Sequence, residues 1–253
     1  MPTISIITIT FNAERFLPKT IDSILAQTCH DFEYIIVDGK SKDATVEIIQ
    51  DYENRIQNSE SPFSVRWVSE PDKGLYDAMN KGMRMATGDF VWFMNAGDKI
   101  YDENTVACIL ESLKTNPDSD VVYGQSLIID ENDRPLGERH KIAPKVLTRK
   151  SLLNGLVVCH QSILVRKSIA PEYDLSYKIS ADYDWTCKVL AVSKKNLYID
   201  NHLSRFMTSG VSDVHRKKSW AERYEIMKKH FGLCATLWAH FKIIVRYPFT
   251  VKH

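Results

Sequence analysis

The stretch SEPDKGLYDAMNKGMRMATGDFVWFMNAGDKI, residues 69–100, decides how this chain folds. It passes from a charged loop through an amphipathic helix and an apolar strand to a carboxylate. Leu75, Met79, Met83 and Ala86 recur at helical spacing, Gly88 stops the helix, and residues 90–94 are a short apolar run. Asp98 then stands just beyond the carboxyl end of a strand, the edge where open α/β sheets bind ligands.

The same unit precedes this stretch twice. Residues 3–10 are β-branched and mostly apolar, as in a strand covered on both faces, and Leu17, Ile21, Ile24 and Leu25 follow at helical spacing. Residues 33–37 predict a second strand, Thr45, Ile48, Ile49 and Tyr52 a second helix, and residues 65–68 a third strand. Such alternation predicts an α/β fold, a mainly parallel sheet with helices on both faces. Beyond Asp98 the pattern loosens: a helix near 103–113, a strand over 120–129, a turn at 131–135, a helix near 145–153, a strand over 161–165, a helix over 183–192 and a short closing strand at 197–200. That half predicts a mixed sheet.

With 253 residues, 44% hydrophobic and 26% charged, the composition suits a globular enzyme or binding domain. Five scattered cysteines without a CxxC pair suggest neither a disulfide framework nor a zinc site, so a reducing cytoplasm is expected. No signal peptide and no spanning helix is predicted. The net charge of +1 hides an asymmetry, because residues 214–253 hold nine Lys/Arg against two Asp/Glu. We therefore expect a main domain over 1–213 and a basic helical tail over 214–253. In that tail Tyr224, Met227, Phe231, Leu237, Trp238, Phe241, Ile244 and Val245 alternate with Lys228, Lys229, Lys242 and Arg246. The pattern fits either a helix in a membrane interface or one packed on the main domain with a solvated basic face. Nucleic acid is not an expected partner, since the remaining chain is net acidic and carries no nucleic-acid motif.

Three carboxylates stand where chemistry is expected. Asp38, in VDGKSKDAT, directly follows the second strand in a loop with Gly39 and Ser41, and either accepts hydrogen bonds from a base or ribose or caps the next helix. Asp98 is either a ligand of a hard cation, which needs only one or two protein carboxylates when phosphates and water supply the rest, or a turn residue after Gly97. Asp182, in SADYDW, sits in the first turn of a helix that Ser180 can cap; it is either a general base or a complement to the helix dipole. His160 and Gln161 border either an acceptor pocket or the core, whereas Trp67, Trp92 and Trp185 read as core.

In order after ITITFN, the motifs VDGKSKDAT, EPDKGLYDAMNKG, GDFVWFMNAGD and SADYDW resemble the inverting family 2 glycosyltransferases with the GT-A fold, over residues 3–213. Within them, the DKGLYDAMNKG and NAGD wording resembles bacterial enzymes of exopolysaccharide, capsule or O-antigen synthesis. The resemblance implies that Thr10, Phe11 and Asn12 line a nucleotide base that Asp38 hydrogen-bonds, with Ser41 in the same loop. It places Asp72, Lys73, Gly74 and Asn80 around the ribose, diphosphate and donor sugar, and makes Asp98 the metal-binding end of a DxD motif spanning Asn95, Ala96, Gly97 and Asp98. Asp182 matches the catalytic base.

The implied partners are a nucleotide-sugar donor (UDP first, GDP or dTDP as alternatives), a divalent cation (Mn or Mg) and a glycan or lipid-linked acceptor at the inner face of the cytoplasmic membrane. The chain departs from the pattern in three places. Asn95 replaces the first DxD acid, Ala181 replaces the acid before the base, and Met207 stands near a position where relatives carry a metal-binding His. For that role His215 is either a substitute or a surface residue. Lys40, where small residues are usual, either contacts a phosphate or is solvated. The missing acids leave a second reading, a catalytically weakened nucleotide-sugar-binding subunit of a glycan assembly complex.

Overall fold

A computed structural model describes residues 3–58, 65–208 and 216–250, with side chains for 3–58, 65–208 and 218–242. Strand β1 (Ile4–Thr10) lies between β2 (Phe32–Asp38) and β4 (Phe90–Phe93), with β3 (Val65–Ser69) outside β2, all parallel. Helices α1 (Leu17–Leu25), α2 (Thr45–Gln57) and α3 (Leu75–Met85) make the crossovers. Every residue of β1 and β2 is buried, as parallel strands with helices on both faces require. Side chains alternate between the two faces. Ile7, Ile35 and Phe93 enter one core with Tyr76, Met79 and Met83 of α3, while Ile6, Tyr34 and Trp92 enter the other with Leu17, Ile21 and Ile24 of α1.

The second half adds β5 (Lys99–Ile100), α4 (Thr105–Thr115), β6 (Val121–Ile129), β7 (Pro135–Glu138), β8 (Ile163–Arg166), α5 (Ala181–Val192) and β9 (Asn196–Met207). The strand order is β3-β2-β1-β4-β8-β6-β9-β5, with β7 paired to β6. Strand β8 runs antiparallel to both β4 and β6, so the sheet is mixed beyond β4, as expected.

Three elements differ from the sequence reading. The helix expected at 145–153 is a short 3-10 turn, Arg149–Asn154, ended by Gly155. Leu147 and Leu152 of that stretch are buried in the core and Leu153 packs against it, too few to hold a longer helix there. The strand expected over 161–165 begins only at Ile163, after a tight turn at His160–Ser162. The closing strand extends to Met207, because β9 continues past the polar triplet Asp200, Asn201 and His202 by shifting register against β6 near Gln125.

The tail forms α6 (Arg216–Phe231) and α7 (Leu233–Thr250). The boundary expected after residue 213 lies outside the described residues. Helix α6 is rooted in the main core: Ile226 and Met227 are buried there. Asp184 of α5, also buried, receives Lys188 at 2.6 Å, His230 at 2.8 Å and Lys229 at 3.1 Å. Burial alone raises a carboxyl's pKa, but these cationic and imidazole donors outweigh it and hold Asp184 well below the usual carboxylate range. No helix among the described residues is long and apolar enough to cross a membrane.

Candidate active site

The loops at the carboxyl ends of β1, β2 and β3 converge. A Cβ on Gly39 would lie 2.5 Å from Asp72 Oδ2 and 3.2 Å from Phe11, so glycine lets all three loops meet. Asn12 and Lys40 hold positive φ angles of 48° and 64°, a conformation costing about 1 kcal/mol or more in non-glycine residues. The turn is fixed by Ser41 Oγ accepting from the Asn12 amide at 2.8 Å and by Asn12 Oδ1 accepting from the Lys42 amide at 2.8 Å. Phe11 is 60% exposed, an aromatic face left open above the loops, and Lys40 and Lys73 are exposed. Asp72 turns the chain into α3 by accepting from the Gly74 amide at 2.7 Å. Thr10 and Asn95 end neighbouring strands; their Oγ1 and Oδ1 are buried and have no partner among the described residues. Buried polar atoms are almost always paired, so these two are exceptions at the sheet edge.

Three expected contact residues instead point inward. Asp38 is fully buried, and its carboxylate accepts from Ser69 Oγ at 2.6 Å, from the Ser41 amide at 2.9 Å and from Ser41 Oγ. These bonds fix the loop that carries Ser41. Asn80 clamps the backbone of Tyr173, donating to its carbonyl at 3.0 Å and accepting from its amide at 2.7 Å. The carboxylate of Asp98 accepts from Gln161 Nε2 at 2.8 Å and from the Met207 amide at 3.0 Å. Burial raises its pKa to about 7. In each case a polar side chain at the sheet edge satisfies buried backbone or amide groups, which would cost about 1–3 kcal/mol if left unpaired.

Asp182 remains partly accessible at the start of α5. Its Oδ1 accepts from the Tyr183 amide at 2.8 Å and faces the Tyr76 hydroxyl at 3.4 Å. Tyr76 lies two residues beyond Gly74, so this contact joins Asp182 to the loop of Asp72, Lys73 and Gly74. Surrounding protein raises the Asp182 pKa above the ordinary carboxylate value; the Tyr183 amide, Arg223, Tyr76 and Arg139 offset only part of that. Tyr173 stacks on Tyr76 at 5.5 Å and on Trp185 at 5.2 Å, making a rigid aromatic floor. His160 Nε2 meets the Tyr173 hydroxyl at 2.7 Å, and burial lowers its pKa to about 4, so it is a neutral core residue, as are the buried Gln161, Trp92 and Trp185.

The helix start itself is held in a way that the sequence did not disclose. The Ser180 side chain makes no cap. Instead Glu222 of α6 accepts from the backbone amides of Lys178, Ile179 and Ser180, each at 2.9 Å. A carboxylate makes stronger, charge-assisted bonds than a serine hydroxyl and also complements the positive helix end.

Residues 5–173 match the model of glycosyl transferase family 2. The chain belongs to that family. A PGL/p-HBAD biosynthesis glycosyltransferase of Mycobacterium tuberculosis is 35% identical over 191 residues, 74% of this chain and 69% of the relative. Among solved structures, S. aureus TarS 1-349 in complex with UDP-GlcNAc superposes with a TM-score of 0.69 at 19% identity, covering 100% of this chain and 76% of TarS. The mannosyltransferase PcManGT from Pyrobaculum calidifontis, in complex with GDP-Man and Mn2+, gives 0.64 at 13%, covering 98% of this chain and 75% of that one. The fold is GT-A, and the family 2 transferase is an enzyme, as the motifs implied.

A divalent cation is common in this fold class, and one neighbour was solved with Mn2+. The residues here fit such an ion poorly. Asp98 is the one carboxylate of its motif, and both its oxygens serve interior donors. No cluster of three His, Cys, Asp or Glu stands ready for a metal among the described residues. The Asp98 carboxylate is engaged in interior bonds here, and His215 lies outside the described residues.

Replacing Glu222 by Gln removes the charge and one of its two acceptor oxygens. Urea unfolding is expected to show a loss of about 1–3 kcal/mol, and turnover is expected to fall while nucleotide affinity is kept. Unchanged stability and turnover would show that Glu222 does not hold the start of α5.

Proposed function

We propose that this family 2 enzyme transfers a sugar, with inversion, from a nucleoside diphosphate donor to a hydroxyl of a glycan or lipid-linked acceptor in surface polysaccharide synthesis. The observation that carries the reading is Asp182, a partly accessible carboxylate of raised proton affinity beside the loops that would hold the donor. The exposed Phe11 ring would stack on the base, while the unpaired Thr10 hydroxyl and Asn95 carbonyl would bond the donor's polar edges. UDP is the first candidate nucleotide, supported by the TarS complex with UDP-GlcNAc, and GDP by the PcManGT complex with GDP-Man.

In the reaction the acceptor oxygen attacks the anomeric carbon from the side opposite the leaving group. The new C–O bond forms as the bond to the diphosphate oxygen breaks; the hydroxyl proton passes to Asp182 and the nucleoside diphosphate departs. Holding both reactants in line supplies much of the acceleration. The Tyr76 hydroxyl, which donates to the Ile179 carbonyl at 2.7 Å, fixes one wall of the base's surroundings.

Asp182→Asn is expected to keep nucleotide binding and to lower kcat about 10²- to 10⁴-fold, the usual worth of a general base. Because only the ionised form accepts a proton, wild-type kcat is expected to fall as pH drops through the Asp182 pKa. That limb should lie above the ordinary aspartate value of about 3.9. Unchanged turnover in the variant would remove the assignment.

The same reading places α7 on an anionic membrane surface near a lipid-linked acceptor. Trp238 is 57% exposed and stacks on the exposed Phe241, with Leu233 and Leu237 also exposed and Lys242 5.3 Å from the Trp238 ring. The side chains of Ile244, Val245 and Arg246 lie outside the description. Co-sedimentation with phosphatidylglycerol vesicles, lost in a Trp238→Ser, Phe241→Ser double variant, is expected. Equal recovery of variant and wild type with the vesicles would contradict it.

A further inference from the structure

Three cations gather around Gly155, near the start of α5. Arg139 donates to the Leu156 carbonyl through Nη2 at 3.1 Å, while its buried Nη1 has no partner among the described residues. Lys141 reaches the Asn154 carbonyl at 2.7 Å, and the Arg223 guanidinium lies 5.8 Å from the Tyr183 ring centre. Lys141 and Arg223 meet over Gly155, at φ +83°, where a Cβ would press on both Lys141 Nζ and Arg223 Nη2. No ion pair to Arg139, Lys141 or Arg223 occurs among the described residues. Burial, together with the two arginines, pushes the Lys141 pKa down to about 8. Like charges drawn together and partly desolvated oppose folding unless an anion joins them. Charge-assisted bonds from two guanidinium groups and an ammonium suit a phosphate oxyanion.

We propose that Arg139, Lys141 and Arg223 form a phosphate-binding subsite for the acceptor, so that the enzyme takes a phosphate-bearing acceptor rather than a neutral glycan. This rests on the transferase reading above and names its acceptor class. The cations belong to the segment after β7 and to α6, not to the β1, β2 and β3 loops assigned to the donor. Arg139 and Arg223 also lie close enough to act on the Asp182 carboxylate, where the attacking hydroxyl must be. A phosphate held here anchors the acceptor beside its base. Arg223 shares its helix with Glu222, which fixes the start of α5. One short stretch of α6 thus positions both the base and the acceptor anchor.

The test is calorimetric binding of hexyl phosphate, and separately of UDP and GDP, to the full chain at low ionic strength. The wild type is expected to bind hexyl phosphate. Lys141→Gln and Arg223→Gln should weaken that binding about tenfold or more, the loss of a charge-assisted bond. Lys141→Arg and Arg223→Lys should largely retain it, and nucleotide affinity should not change in any of them. Hexyl phosphate binding that is absent in a wild type that binds UDP or GDP, or equal in the Gln variants, overturns the subsite alone. Loss of nucleotide affinity instead assigns the cations to the donor diphosphate and also overturns it. A folded wild type that binds none of the three ligands overturns both the subsite and the donor reading. Thermal melts confirm that each variant is folded before its affinity is compared.

Discussion

The three hydrogen bonds from the backbone of residues 178–180 to the Glu222 carboxylate are the contact on which the candidate site depends. They satisfy amides at the beginning of α5 that would otherwise be unpaired, and they tie that end of the helix to α6. Asp182 lies two residues further on, against Tyr76. The neighbouring Asp184 cluster, with Lys188, Lys229 and His230, fastens the same two helices a turn further along. Breaking a buried charged network of this kind costs about 3–5 kcal/mol. A helix that charge composition alone assigns to a separate tail is thereby built into the catalytic unit.

The sheet edge divides its labour. Asp38, Asn80 and Asp98 are buried and tie loops and strands together, while Phe11, Thr10, Asn95 and Asp182 are left exposed or unpaired. Inward-facing polar residues hold the backbone in conformations it would not otherwise keep, including the left-handed Asn12 and Lys40. This is the support that a preorganised site requires, since a misplacement of about 1 Å can cost a hundredfold in rate. Asp98 illustrates the logic: its bonds to Gln161 and the Met207 amide tie the segment after β4 to the end of β9.

Much of this was legible in the residues. The alternating apolar runs through residue 94 gave the parallel half of the sheet and both of its helical layers, and the four ordered motifs gave the family. What was not legible has physical reasons. The polar triplet Asp200, Asn201 and His202 reads as a loop, because a register shift that lets a strand continue leaves no periodic trace. A motif carboxylate looks the same in sequence whether it faces a ligand or an interior amide, so the inward turn of Asp38 and Asp98 required the fold. Glu222, Arg139, Lys141 and Arg223 are separated from Asp182 by tens of residues, and only tertiary packing brings them together. The one hint was that Glu222 is among just two acids in a strongly basic tail.

The proposed reaction is a single in-line displacement, and its most direct test needs no knowledge of the natural acceptor. Time-resolved proton NMR of the sugar released when the enzyme slowly hydrolyses a UDP- or GDP-sugar reads the first anomer formed, before mutarotation mixes the two. The expected configuration is opposite to that of the donor. Release of the donor's own anomer would contradict it, because retention requires a second displacement in which Asp182 is not the base acting on the incoming hydroxyl.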